Sequence, residues 1–195
     1  AVIFAGTGSK LLASGSALDK KSGGLISGAI ETRDGFKGRH GDLLSVFLPK
    51  ATGYKQVVVI GLGDLDKLDV LAFENAGGKT LAALKSVSGQ NVAVLFDTDK
   101  SIKVKEADAA AAFASGLRLR NYVFDKYKTT DKKSKSGDGL KSIAVATDAY
   151  SAASKLYDDY EAIARGVIFA RDLVNEVPNV LYPESYAAIL AKEFK

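Results

Sequence analysis

Cysteine is absent from this chain, methionine is absent too, histidine occurs once and proline three times. Without cysteine there can be no disulfide and no thiolate metal site. With His40 as the sole histidine, a zinc centre would have to be built almost wholly from carboxylates, so a solvent-facing loop is the expectation for that residue. The lack of methionine leads to the expectation that Ala1 is not a translation start and that the chain is trimmed, processed or numbered from inside a longer product. There is no run of about 18 apolar residues and no charged-then-apolar leader, so neither a membrane span nor a signal peptide is expected and the chain should be soluble.

Several nucleotide and nucleophile motifs are also missing. Gly6-Thr7-Gly8-Ser9-Lys10 lacks the spacing and the Gly-Lys pair of a phosphate loop and is expected to be a strand-end turn. Gly61-Leu62-Gly63 would need a third glycine at 66 to read as a dinucleotide fingerprint, and Asp66 stands there. Ser14-Gly15-Ser16 has no glycine two places before its first serine, so it is not a nucleophile elbow. Asp64, Asp66 and Asp69 do not have the spacing of a calcium loop, and no bidentate glutamate closes them; polar loop residues and N-terminal carboxylates of the next helix are the expectation.

What is present fits one well-buried core plus an extension: 195 residues, 47% hydrophobic and 26% charged. Val2–Ala5, Val57–Ile60, Asn91–Phe96 and Ile143–Thr147 read as strands, the second a continuous apolar run of the kind buried on both faces. Leu43 to Leu48, after the glycines Gly38 and Gly41, suggests a hairpin or bent strand pair between Phe36 and Pro49. Helices are expected from Ala17 to Ile30 with weak glycine spots, from Leu68 to Val87 with Gly77-Gly78 as a weak point or close-packing spot, and from Ala107 to Leu119. Alternation of this kind predicts an α/β sandwich with a central sheet covered on both faces.

Lys126, Lys128, Lys132, Lys133, Lys135 and Lys141 stand against Asp131 and Asp138, so the segment 126–141 carries a net charge equal to the +4 of the whole chain. Contact with phosphate is one use for it. A solvated hairpin connection is the preferred one, because no helix or aromatic platform organises the lysines.

The most telling stretch is at the end. Leu156, Tyr160, Ile163, Val167, Ala170 and Val174 recur at steps of three and four, an apolar stripe on a helix of about 20 residues or more. Pro178 disfavours helical geometry at Val177, so that helix should stop by Asn175 or Glu176. Pro183 suits the first turn of another helix, with Glu184 beside its positive end, whereas Tyr182 before it cannot cap as a threonine would. In their order and spacing, Arg171, Asp172, Leu173, Asn175, Pro178, Asn179, Val180, Leu181 and Pro183 resemble the interdomain linker of the leucyl (cytosol) aminopeptidase family. Asn121–Thr129 and the first helix add looser matches.

That resemblance implies a macro-like three-layer α/β domain with a mixed sheet over residues 1–150, a linker helix over 151–177, and the start of a catalytic domain over 178–195. It implies a cytoplasmic, hexameric exopeptidase that removes N-terminal residues from peptides with two zinc or manganese ions held in the downstream domain. This part would serve assembly and active-site access, with its own catalytic domain, its sister subunits and peptide substrates as partners. None of the family's metal-binding motifs occurs here, so no catalytic, cofactor-binding or metal-binding residue is assigned. The alternative is a free-standing macro-like module that takes a nucleotide-like ligand or nucleic acid at the strand ends and the lysine loop.

Overall fold

In the computed structural model, residues 1–85, 91–129 and 139–194 are described. Among them β1 (Val2–Gly6), β2 (Lys10–Leu11), α1 (Ala13–Lys21), α2 (Leu25–Thr32), β3 (Leu43–Phe47) and β4 (Gln56–Gly63) come first. α3 (Val70–Leu84), β5 (Asn91–Leu95), α4 (Glu106–Arg120), β6 (Ser142–Ala146), α5 (Tyr150–Asn175) and α6 (Pro183–Glu193) follow. The strands form one mixed sheet in the order β3-β4-β1-β5-β6, with the short β2 paired to β1. β4, β1, β5 and β6 are parallel, and β3 closes one side antiparallel to β4.

Alternate residues of each central strand serve opposite faces, as the pleat requires. Val2, Phe4, Val58, Ile60, Val94 and Phe96 meet α3 and α4, whereas Ile3, Ala5, Val57 and Val59 meet Leu18 of α1, Ile26 of α2 and Phe36. The sheet therefore lies between two helical layers, as the alternation predicts. Under α3 and α4 four phenylalanines interlock: Phe4 stands edge to face with Phe96 at 5.5 Å and with Phe113 at 5.4 Å, and Phe73 lies tilted 5.8 Å from Phe96.

α4 presents Ala109, Ala110, Ala111 and Ala112 to the interior, and small side chains let it sit low on the sheet. Its crossing with α3 is closer still. A Cβ on Gly77 would lie 2.0 Å from the Phe113 carbonyl oxygen, and one on Gly116 would lie 1.8 Å from that of Glu74. Of the two glycines expected as a weak or close-packed spot, Gly77 is the close-packed one.

Two elements differ from the sequence expectation. The helix expected from Ala17 to Ile30 is two helices, because Gly23 and Gly24 take φ of 74° and 80°, and the Asp19 carboxylate turns back to accept from Ile26 N and Ser27 N at the start of α2. Between Phe36 and Pro49 only Leu43–Phe47 is strand. The segment before it crosses the end of β4, where Gly61 and Gly63 leave room: a Cβ on Gly61 would lie 2.2 Å from the Arg39 carbonyl oxygen. α3 ends at Leu84, and Val87 lies outside the described residues. No described helix is long and apolar enough to cross a membrane.

Gly116→Ala is expected to destabilise the fold by about 1–3 kcal/mol or more, since α3 and α4 must separate to admit the methyl group. Gly166→Ala, inside α5 with nothing within 4 Å of the added carbon, is expected to stabilise it by about 0.5–1 kcal/mol. Urea unfolding of both variants checks the pair, and equal effects would refute the close crossing.

Candidate functional site

In an open α/β sheet the carboxyl ends of the strands are the usual place for a ligand. Here that end is filled by the chain's own groups. Thr7 N donates to Gly63 O at 2.9 Å and Gly8 N to Lys37 O at 3.1 Å, so these amides of the Gly6–Lys10 turn already have acceptors. At the N-terminus of α1, Ser14 N donates to Asp97 Oδ2 at 2.6 Å, a position an anionic ligand would otherwise take. Burial pushes the Asp97 carboxyl above its usual range, and its Oδ1 has no hydrogen-bond partner. Glu106 accepts from Thr147 Oγ1 at 2.5 Å and from Thr98 Oγ1 at 3.2 Å, tying β5 to the end of β6.

The acidic candidates have structural partners. Asp64 accepts from Thr7 Oγ1 and from Lys67 Nζ, both at 2.8 Å; the Lys67 hydrogen bond holds its carboxyl below the usual range. Asp69 caps α3 through Ala72 N at 2.7 Å, the helix-start role expected of it. Asp66 and His40 are exposed. Among the described residues no three His, Asp or Glu side chains come together as metal ligands would. Of the lysine-rich loop, Lys132, Lys133 and Lys135 lie outside the described residues.

The densest polar constellation is elsewhere, where the segment after α4 meets the second half of α5. Tyr122 OH donates to Asp172 Oδ1 at 2.8 Å, and Asn175 Nδ2 donates to Tyr122 OH at 3.3 Å. Lys126 Nζ reaches Glu176 Oε2 at 2.5 Å, while Tyr127 OH donates to the other oxygen. Arg171 donates to Leu119 O at 2.9 Å and lies over the Tyr122 ring at 5.7 Å. Further up the helix Arg118 pairs with Glu161 at 3.2 Å. The Glu176 side chain is 11% exposed, and the Lys126 ammonium and Tyr127 hydroxyl bring its carboxyl down to about 2. Asn121–Thr129 and Arg171–Pro183, picked out separately in the sequence, thus grip one another.

With this grip α5 covers only part of the expected stripe. Of that stripe Leu156, Tyr160 and Val167 are half-buried beside Ala153, Tyr157, Glu161, Ala164 and Arg171, whereas Ile163 and Val174 are 63% and 86% exposed and Ala170 is exposed too. The two stripes overlap at Tyr160, and their centres differ by less than one residue step of about 100°. Helical period alone does not choose between them. The inner one wins because α4 offers small residues, an arginine and a free carbonyl, which suit alanine, tyrosine and charged partners. α5 ends at Asn175 and Pro183 opens α6, as expected. Tyr182 makes no side-chain cap; Ser185 Oγ instead accepts from Tyr182 N at 2.9 Å.

Two depressions flank α4. One, of about 490 Å³, is largely apolar and lies between α4, β6 and α5, with Leu117, Ile143, Val145, Ala153 and Tyr157 on its walls. The other, of about 590 Å³, runs over the α3–α4 crossing and carries Glu74, Gly78, Lys79, Gly116, Arg120 and Arg171.

The model of the cytosol aminopeptidase family, N-terminal domain, matches residues 2–131. A probable cytosol aminopeptidase of Nitrobacter winogradskyi is 35% identical over 175 residues, covering 90% of this chain and 34% of that protein. One from Rhizobium leguminosarum bv. trifolii is 41% identical over 162 residues, covering 82% of this chain and 32% of that one. The chain thus spans about a third of the length of these curated relatives. Among solved structures, a mutant of tomato leucine aminopeptidase superposes with a TM-score of 0.75 at 23% identity, over 98% of this chain and 38% of that one. The bottromycin maturation enzyme BotP in complex with Mn gives 0.69 at 22%, over 98% and 35%. At such identities the likeness is one of fold.

Glu176 also makes the junction sensitive to acid. Its folded-state pKa of about 2 lies below the ordinary 4.5, so the unfolded chain takes up the proton first. The stabilisation is complete above 4.5 and is lost as pH falls through about 2. The difference in melting temperature between the chain and its Glu176→Gln variant is therefore expected to be largest near neutrality and to shrink through that window. A difference that stays constant with pH would contradict the ion pair.

Proposed function

This chain belongs to the cytosol aminopeptidase family, and from that premise we propose that it is the non-catalytic N-terminal domain of an enzyme that removes N-terminal amino acids from peptides. In the proposal, residues 1–150 form the domain body, 151–177 the linker helix and 178–195 the start of the catalytic domain. The catalytic domain supplies two divalent ions, zinc or manganese, which polarise the scissile carbonyl and activate water. Four described carboxylates of this chain already serve structural partners. Asp69 caps a helix, Asp97 is committed to Ser14, Glu106 to two threonines and Asp64 to Thr7 and Lys67. No metal-dependent step is therefore assigned to them.

What this part contributes is placement. The observation that carries the proposal is the two-sided α5: its inner side is bolted to the domain by Arg171, Asp172 and Glu176, while Ile163, Ala170 and Val174 lie uncovered on its outer side. α6 and its ends leave apolar residues of their own exposed, Tyr182, Tyr186 and Phe194, and Phe194 meets Phe169 of α5 edge to face at 6.3 Å. An exposed apolar band beside a rigid polar joint is what a second body needs in order to dock in a fixed orientation. We assign that role to the catalytic domain, with a cytoplasmic homo-hexamer as the assembled form. A free-standing nucleotide-binding module is the weaker reading, because Asp97 occupies the helix end where a phosphate would bind.

The purified chain is expected to hydrolyse leucine p-nitroanilide no faster than buffer with added Mn²⁺ or Zn²⁺, whereas a protein extended through the catalytic domain turns it over. Metal-dependent turnover by the chain alone would overturn the proposal.

A further inference from the structure

Gly77 and Gly78 are neighbours in α3, but only one is demanded by packing. A Cβ on Gly78 would meet the Gly116 carbonyl oxygen at 3.7 Å and Arg120 Cβ at 3.9 Å, ordinary contacts that alanine would satisfy. A glycine inside a helix costs about 1 kcal/mol relative to alanine. Here that cost is borne without a steric reason from within the domain.

Gly78 lies in the groove of about 590 Å³ over the α3–α4 crossing. Arg120 and Arg171 line the same groove against a single carboxylate, Glu74, which also accepts from Ser115 Oγ at 3.2 Å, while Lys79 borders it and lays its ammonium over Gly41, where an added Cβ would lie 2.9 Å from Nζ. Among the described residues Arg120 has neither an ion pair nor a hydrogen-bond partner for its side chain. Arg120 does complement the C-terminal end of α4, which accounts for a positive charge there but not for the groove. Arg171 spends Nη1 on Leu119 O and keeps its other guanidinium donors. Asn75 adds an amide to the wall.

We propose that this groove binds a small oxyanion, a phosphate or carboxylate group, held by Arg120 and Arg171 and seated over the bare backbone at Gly78. Guanidinium groups suit either anion because their paired N–H donors match two oxygens at once. The missing side chain at Gly78 lets the ligand approach the helix surface. The site is independent of the peptidase assignment and of the strand ends.

The test is a titration of the chain with inorganic phosphate, and in a second arm with succinate, at ionic strength held constant with chloride. Backbone amide resonances are followed by NMR. Saturable shifts confined to Gly78, Lys79, Gly116, Arg120 and Arg171 are expected in at least one arm, and the responding arm identifies the anion class. Arg120→Gln should weaken the response about tenfold or more. Gly78→Ala should raise the melting temperature while weakening binding, a divergence that a purely structural glycine would not show. Shifts that rise linearly without saturation in both arms, or that are unchanged in Arg120→Gln, would overturn the site.

Discussion

The approach of α3 to α4 is the constraint on which the rest of the molecule depends. Gly77 and Gly116 bring each helix against the other's backbone carbonyl, at Phe113 and Glu74 respectively. With α4 held this close to α3 and its alanines against the sheet, the phenylalanines beneath can interlock. The outer surface of α4 then offers a low, partly polar seat, and α5 lies along it through Ala153, Ala164, Glu161 and Arg171. A larger residue at either crossing glycine would move α4, and with it the seat of the helix that leaves the domain.

The joint at the end of that helix is polar rather than greasy, and that choice has consequences. Apolar contacts hold surfaces together but tolerate sliding, whereas Tyr122–Asp172, Arg171–Leu119 and Lys126–Tyr127–Glu176 each require a defined direction. Exposed pairs such as Arg118–Glu161 add little stability by themselves. Their value is in fixing the rotation of α5 about its own axis. That rotation decides which apolar stripe is spent inside the domain and which is left for a partner.

Much of the fold was legible in the sequence because its signals are local. The apolar run Val57–Ile60, the alanine-rich helix and the proline-bounded ends of α5 and α6 each carry their cause within a few residues. The places where expectation failed depend on distant partners. Asp19 folds back on α2, Gly61 makes room for Arg39, and Ala164 rather than Ile163 faces α4. Gly77 and Gly78 are indistinguishable in sequence and differ only in what lies opposite them. At the junction, Lys126 and Glu176 are 50 positions apart. Spacing could not pair them, although resemblance had marked both of their segments.

The central claim is that α5 is an integral part of this domain up to its last turn, held on one face and open on the other. Amide hydrogen exchange of the chain by itself tests it most directly. Residues 164–175 should be protected to nearly the same degree as the first half of α5. Exchange there at the rate of an unfolded peptide, with the sheet still protected, would show that the junction does not hold the helix and would contradict the account.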